Sequence, residues 1–267
     1  MSSPSVFATP QSVASIDECF FYHTMEVPGH GVRPGQWDLR NTIGDYLGRM
    51  NFKGKRVLDI GAADGFLCFH VERQGAEVIG YDLSDRDMWD LVPFAQYDYT
   101  QSIAVSKGHI KQLNNAFWFS RRAFESNAQL VHGTVYNIPR EIGTVDAAIF
   151  GSILLHVRDP FVALQSALAI TKETVIVVEP LRNDWISRVL RKIGLPYMLF
   201  LPDANRVAPK DSWWYLPPAV MIRMVGTLGF QDTRLHYHTQ QYGEWGKFAR
   251  VPYYTLIAHR THGKPVV

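Results

Sequence analysis

The stretch from Lys55 to Asp82 constrains the fold more than any other. Arg56-Val57-Leu58-Asp59-Ile60 is a short apolar run of β-branched character that stops at Gly61-Ala62-Ala63-Asp64-Gly65. Phe66, Leu67, His70, Val71 and Arg73 then take up helical spacing, and Glu77-Val78-Ile79-Gly80-Tyr81-Asp82 reads as the next parallel strand. The whole is a β-turn-α-β unit ending in an acid. At Gly61 and Gly65 a backbone without Cβ lets a ligand approach and lets the helix start against the strand. Asp82 follows the first glycine by about 20 residues, the distance at which a carboxylate reaches both hydroxyls of a ribose. The unit is expected to hold a nucleoside; the alternative is an ordinary α/β crossover whose glycines only relieve crowding.

Glycine spacing separates the enzymes that share this logic. A dinucleotide fingerprint, G-x-G-x-x-G, reserves one glycine for the pyrophosphate, but position 63 is Ala and the pattern is Gly61-x-x-x-Gly65. Val57-Leu58-Asp59-Ile60-Gly61, with its acid two residues before the glycine, resembles the first motif of the class I S-adenosylmethionine (SAM) methyltransferases. That resemblance implies SAM as cofactor, with Asp59 near its amino-acid end.

A chain of 267 residues, 46% of them hydrophobic, can bury a full-sized core. Its formal charge is +2, and its basic residues are scattered with no run longer than Arg121-Arg122, so no basic stripe supports a nucleic-acid partner. Cys19 and Cys68 have neither disulfide-framework nor zinc spacing, no metal site is expected, and the opening residues lack a signal pattern, which makes the cytoplasm the expected location. Cys68 falls on the apolar face of the first crossover helix and reads as a small core residue. No stretch is long enough to span a membrane; Trp185 to Leu201 is an oily segment carrying Arg188, Arg191 and Lys192 and is interrupted by Pro196. It reads as an apolar flap docked on the core, with a substrate lid or a surface-binding helix as the other readings.

Residues 1–18 are expected to be a flexible arm and 19–54 an N-terminal cap segment. Within the latter, an aromatic cluster and a Gly/Pro-rich loop lead into a helix whose Leu39, Ile43, Leu47 and Met50 recur at helical spacing. Residues 55–267 are expected to form the cofactor-binding domain, with insertions at 84–114 and 180–215 as candidate substrate caps. The first insertion is longer than usual strand-to-helix links and would wall a pocket over the crevice or form a packed surface excursion. Beyond it, strands Gln129–Gly133, Val145–Phe150 and Thr174–Val178 alternate with helices, arguing for a doubly wound parallel sheet. Two final strands without a crossover helix imply an antiparallel pair at its edge.

Tyr22-His23-Thr24, Pro34-Gly35-Gln36-Trp37-Asp38, the Gly61 motif, Gly151-Ser152-Ile153-Leu154-Leu155-His156-Val157-Arg158-Asp159-Pro160 and Trp214-Tyr215-Leu216-Pro217 together resemble the methyltransferases related to the tRNA wobble-uridine modifying enzymes. The resemblance implies a Rossmann-like, mostly parallel seven-stranded sheet with an antiparallel last strand and a helical or loop cap over the carboxyl ends of the strands. It also implies that Gly61 and Ala62 approach the methionine end of the cofactor, Asp82 the ribose, Leu83, Val135 and Tyr136 the adenine, and Gly151 the sulfur side. Members that use carboxy-SAM hold its extra carboxylate with a tyrosine and an arginine, whose places here are taken by Leu155 and Tyr253; ordinary SAM is expected. His156, just past the fourth strand, is the first candidate general base and His23 the second, each with an alternative role in packing or turn formation. Glu179 is a further carboxylate at a strand end. The leading expectation is methylation of oxygen or nitrogen on a small aromatic or apolar metabolite; the others are tRNA wobble-uridine methylation or carboxymethylation and a non-catalytic SAM-fold subunit. Oligomeric state is left open.

Overall fold

A computed structural model describes residues 5–207, 212–244 and 246–265. In chain order its elements are β1 (Met25–Val27), β2 (Gly31–Arg33), β3 (Trp37–Asp38), α1 (Ile43–Tyr46), β4 (Arg56–Ile60), α2 (Phe66–Glu72), β5 (Glu77–Asp82), α3 (Thr100–Ala123) and β6 (Gln129–His132). There follow β7 (Val145–Gly151), α4 (Pro160–Leu168), β8 (Thr171–Pro180), α5 (Trp185–Lys192), β9 (Leu199–Phe200), β10 (Trp214–Tyr215), α6 (Pro218–Thr227), β11 (Asp232–Glu244) and β12 (Lys247–His259).

The main sheet runs β3-β11-β12-β8-β7-β4-β5-β6. Pairings from β8 through β6 are parallel, while β12 enters antiparallel between β8 and β11. This is the expected class I methyltransferase architecture with an eighth strand added: Trp37 and Asp38 pair with Tyr242 and Gln241 at the outer edge. The parallel strands carry near-continuous apolar runs because helices cover both faces. Their pleat sorts the core, with Val57, Ile149, Ile176 and Val178 on the α2/α3 side and Leu58, Ile60, Phe150, Val175 and Val177 on the α4/α6 side. Asp59 shares the face of Val57 and is thereby driven under α2.

Several expectations change. The helix expected from the Leu39 periodicity shrinks to α1, because Trp37 and Asp38 are drawn into the sheet edge and Gly48 turns at φ +62°; Leu39, Ile43 and Leu47 are nonetheless buried core. The insertion expected at 84–114 ends at residue 99, since α3 begins at Thr100, where the Asp98 carboxylate accepts both the Thr100 N–H (2.9 Å) and its hydroxyl (2.7 Å). Of the flexible arm expected over 1–18, residues 1–4 lie outside the described residues, and 5–18 are tied down: the Ala8 N–H donates to the Leu130 carbonyl (2.8 Å) and Val13 is buried. The segment from Trp185 packs on the core through Met198, while Trp185, Ile186, Val189, Ile193 and Leu195 are exposed rather than docked.

Gly35 shows why the Pro34-Gly35-Gln36-Trp37 stretch is shaped as it is. A Cβ there would lie 2.3 Å from the His23 carbonyl carbon and 2.6 Å from the Thr24 nitrogen. Only glycine lets the two backbone segments close, with the Thr24 N–H donating to the Trp37 carbonyl at 2.7 Å. Gly35→Ala is expected to cost about 1–3 kcal/mol through this overlap, read as a lowered urea midpoint with an unchanged m-value.

Candidate functional site

The site forms where the strands of the parallel sheet end. Gly61, at φ +81°, turns the chain out of β4 while its N–H and that of Ala62 donate to the Tyr81 carbonyl (2.8 and 3.3 Å). Gly65, at φ +83°, starts α2, and a Cβ there would sit 2.8 Å from Phe117 of α3, so the helix begins hard against its neighbour. Ala63 lies between them at φ +48°, a left-handed backbone that a non-glycine residue adopts only when its surroundings impose it. What imposes it is Asp82, whose Oδ2 accepts the Ala63 N–H at 2.6 Å while Oδ1 accepts the Leu83 N–H at 2.7 Å. The Asp82 carboxylate thus clamps the turn and keeps further lone pairs for ligand hydroxyls.

Asp59 lies below the turn. Its Oδ2 accepts the Cys68 thiol (3.2 Å), and among the described residues no donor reaches the buried Oδ1. Burial pushes its carboxyl up to about 7, the Cys68 hydrogen bond and His23 working against that rise. An orphaned buried acceptor calls for a donor, and an ammonium group is one. At the end of β7, Gly151 leaves room that a Cβ would fill against Leu67 (2.9 Å) and the Tyr46 hydroxyl (3.4 Å). Ser152 follows at φ +62°, a second left-handed residue at the same end of the sheet. A glycine turn, a ribose-competent carboxylate, an unsatisfied acid and an open strand end fit a nucleoside carrying an amino acid.

The adenine-side candidates are fixed by one acid. Tyr136 donates its hydroxyl to the Asp90 carboxylate, which also accepts the Arg158 N–H (2.9 Å), and the Asp90 carbonyl takes the Trp213 indole N–H at 2.6 Å. Residues 83–99 are thereby drawn over the turn that carries the half-buried Val135 and Tyr136. The Leu83 carbonyl accepts the Asn114 amide (3.1 Å), holding this segment to α3.

The two histidines fall in different places. His156 ends a 3-10 turn, Leu154–His156, directly after β7. Beneath that turn Glu179 is 1% exposed and accepts the Leu154 N–H (2.9 Å). Burial pushes its carboxyl up to about 8, opposed by the nearby His156 and by the Leu154 and Leu155 N–H groups. His23 instead belongs to the cofactor turn: its N–H donates to Asp64 Oδ2 (2.7 Å), its Nδ1 lies 2.9 Å from Asp64 Oδ1, and its ring stacks on Phe66 at 5.3 Å. Sequence reasoning passed over Asp64, which also caps α2 through the Phe66 N–H (3.2 Å). It passed over an aromatic cluster as well: Tyr253 packs on Trp37 (5.5 Å) and Tyr46 (6.2 Å), its hydroxyl 3.3 Å from Ser152 Oγ. The quoted Tyr22-His23-Thr24 and Trp37 motifs were the available signal, since the Tyr22 hydroxyl accepts the Trp37 indole N–H (3.0 Å) at this cluster. A cavity of about 600 Å³ is lined by Tyr136 together with Ile170, Gly229 and Arg260, and by none of Gly61, Asp82 or Gly151.

Residues 36–239 match the methyltransferase-domain family. The chain belongs to that family. It is 22% identical over 190 residues to a ubiquinone biosynthesis O-methyltransferase of Vibrio campbellii, covering 69% of this chain and 68% of that one. It is 30% identical over 170 residues to the enzyme of the same name from Bradyrhizobium diazoefficiens, covering 61% and 56%. The fold is shared with the N-terminal domain of EvdMO1, solved in the presence of SAH and D-fucose (TM-score 0.53, 15% identity, 92% of this chain and 93% of that one). It is also shared with a SAM-dependent methyltransferase from Methanosarcina mazei (TM-score 0.52, 13% identity, 85% and 100%). The methyltransferase is a SAM-dependent enzyme of class I. The narrower resemblance to the tRNA wobble-uridine enzymes finds no counterpart in the Vibrio and Bradyrhizobium relatives, which are named O-methyltransferases.

Two outcomes follow from the site. Asp82→Ala should abolish SAM binding in calorimetry, because it removes both the candidate ribose acceptor and the clamp on Ala63. In the free protein, Glu179 and Asp59 keep protons that the unfolded chain releases at its ordinary carboxylate values of 4.5 and 3.8. Their contribution to stability is therefore complete below those values and is lost as pH rises through about 7 and about 8. The urea midpoint should fall over this range, and Glu179→Gln should flatten the slope.

Proposed function

We propose that this methyltransferase transfers a methyl group to a hydroxyl oxygen of a small aromatic or apolar metabolite, with His156 as general base. The observation that carries this reading is the placement of one imidazole on the turn after β7, over the buried Glu179 and at the same end of the sheet as the Gly61–Asp82 crevice. Asp59, Gly61, Ala62, Asp82, Leu83, Val135, Tyr136 and Gly151 are the residues assigned to the cofactor. Bound SAM supplies an electrophilic methyl group on a sulfonium, whose sulfur departs as a neutral thioether, so the protein has no leaving group to activate.

The chain's own tasks are to align the acceptor and take its proton. His156 would take the proton of the acceptor hydroxyl, leaving its oxygen as the nucleophile for the methyl group that bound SAM would supply. Glu179 fixes the turn beneath His156 through the Leu154 N–H. His23, bound at both its backbone and ring nitrogens by Asp64, is assigned a positioning role on the cofactor turn. Tyr46, Tyr253 and Trp37 give the acceptor side an aromatic wall on which a ring can rest. The names of the relatives support an oxygen acceptor, and the scattered basic residues favour a small molecule over nucleic acid.

His156→Ala is expected to lower turnover by about a hundredfold or more while leaving SAM affinity roughly unchanged. The assay pairs SAM with a panel of catechols, phenols and other hydroxylated rings, and includes tRNA as a competing acceptor. Undiminished turnover in the variant would remove His156 from the mechanism. Methylation of tRNA alone would move the assignment to the wobble-uridine reading.

A further inference from the structure

The eight residues of α5 carry their polarity the wrong way round for a helix resting on a core. At 100° per residue, Trp185, Ile186, Val189 and the C-terminal flanking residue Ile193 share one side and Ser187 and Arg191 the other, with the partly buried Leu190 between them. It is the polar side that faces the protein. Ser187 is buried, its hydroxyl donating to Asp184 Oδ2 (2.9 Å), and Arg191 reaches back to the Arg182 carbonyl. The apolar side is open to solvent, with Trp185 73% and Ile193 67% exposed and Ile186 and Val189 each half exposed. The chain leaves α5 through exposed Leu195 toward exposed Leu199 and Phe200.

Charge says what covers this face. Arg188 and Lys192 are exposed along one border of the apolar stripe, and Arg182 is exposed just before the helix; the single acid here, Asp184, caps the helix N-terminus and pairs with Arg182 (3.1 Å), which leaves the net charge of the border positive. A second copy of the chain docking this face on itself about a twofold axis would set like charges against each other. Apolar side chains headed by a tryptophan and bordered by arginine and lysine match the acyl boundary and headgroups of an anionic bilayer. Among the described residues no helix is long and apolar enough to cross a membrane, so the contact is one of surface.

We propose that α5 lies on anionic lipid, with Trp185, Ile186, Val189 and Ile193 entering the headgroup–acyl boundary and Arg182, Arg188 and Lys192 pairing with lipid phosphates. Because α5 follows β8 directly, the lipid face stands at the carboxyl end of the sheet, beside the crevice. The binding does not depend on which acceptor is methylated, and its test uses no turnover.

The test is flotation of the full-length protein with vesicles of phosphatidylcholine and with vesicles of phosphatidylcholine mixed with phosphatidylglycerol. The expected result is binding to the mixed vesicles only, weakening with added salt, and falling by about tenfold or more in W185S/I193S. Val105→Ser, which changes an equally exposed apolar residue on α3, should leave it unchanged. Thermal melts in parallel verify that both variants fold. The proposal is overturned if mixed vesicles fail to bind the protein, or if W185S/I193S binds as well as the original chain. A dimer in sedimentation that W185S/I193S dissolves, without vesicle binding, would instead make this face a self-interface.

Discussion

The Asp64 carboxylate holds the two halves of the site together. It is fully buried, and a buried charge is tolerated only when its lone pairs are taken up. Three donors do so: the His23 N–H, the His23 ring and the Phe66 N–H that opens α2. One group therefore fixes the glycine turn, the start of the first crossover helix and the N-terminal segment. From His23 that segment passes over Gly35 to Trp37, joins the outer edge of the sheet and brings Tyr22 and Trp37 to Tyr253. The glycine turn and the Tyr22–Trp37–Tyr253 cluster are thus linked through hydrogen bonds rather than through apolar packing alone.

Much of this was legible in the sequence, and the reasons are local. β4, its turn, α2 and β5 are specified by neighbours in the chain: apolar runs, Gly61 and Gly65 with φ above +80° at the two ends of the turn, and an acid at the strand end. The antiparallel C-terminal pair was readable from the absence of a crossover helix. Periodicity misled where tertiary pairing overrode it. Leu39 and Ile43 do face the core, yet Trp37 serves as a strand residue because Tyr242, some two hundred positions later, offers it an edge. The first half of α3 was hidden because its outer turns, with Ser102 and Gly108, carry little apolar signal. Asp64 and the Tyr46–Tyr253–Ser152 cluster depend on residues distant in sequence and had no local pattern to announce them.

Residues that break local rules occur at the site, as well as at the turns of Arg49 and Glu125. Ala63 and Ser152 both take left-handed backbone, one held by Asp82 and the other by bonds from its N–H to the Val178 and Phe150 carbonyls. Asp59 and Glu179 are acids kept where water does not reach them. Strain and desolvation of this kind persist because the surrounding sheet over-determines them, and they concentrate where a ligand must be met by a rigid surface.

The place of β12 in the sheet has a bearing on how the chain is made. The strands that carry the cofactor turn, from β6 across to β8, are complete by residue 180. β8, with its unbroken Val175-Ile176-Val177-Val178, then remains a bare apolar edge until the last strand, more than sixty residues later, slides in beside it. During synthesis the nascent domain thus exposes a sticky border just when its nucleoside half is ready, and the C-terminal hairpin acts as its closing seam. Because Tyr253 arrives on that same hairpin, the strand that closes the edge is also the one that completes the aromatic cluster with Trp37 and Tyr46.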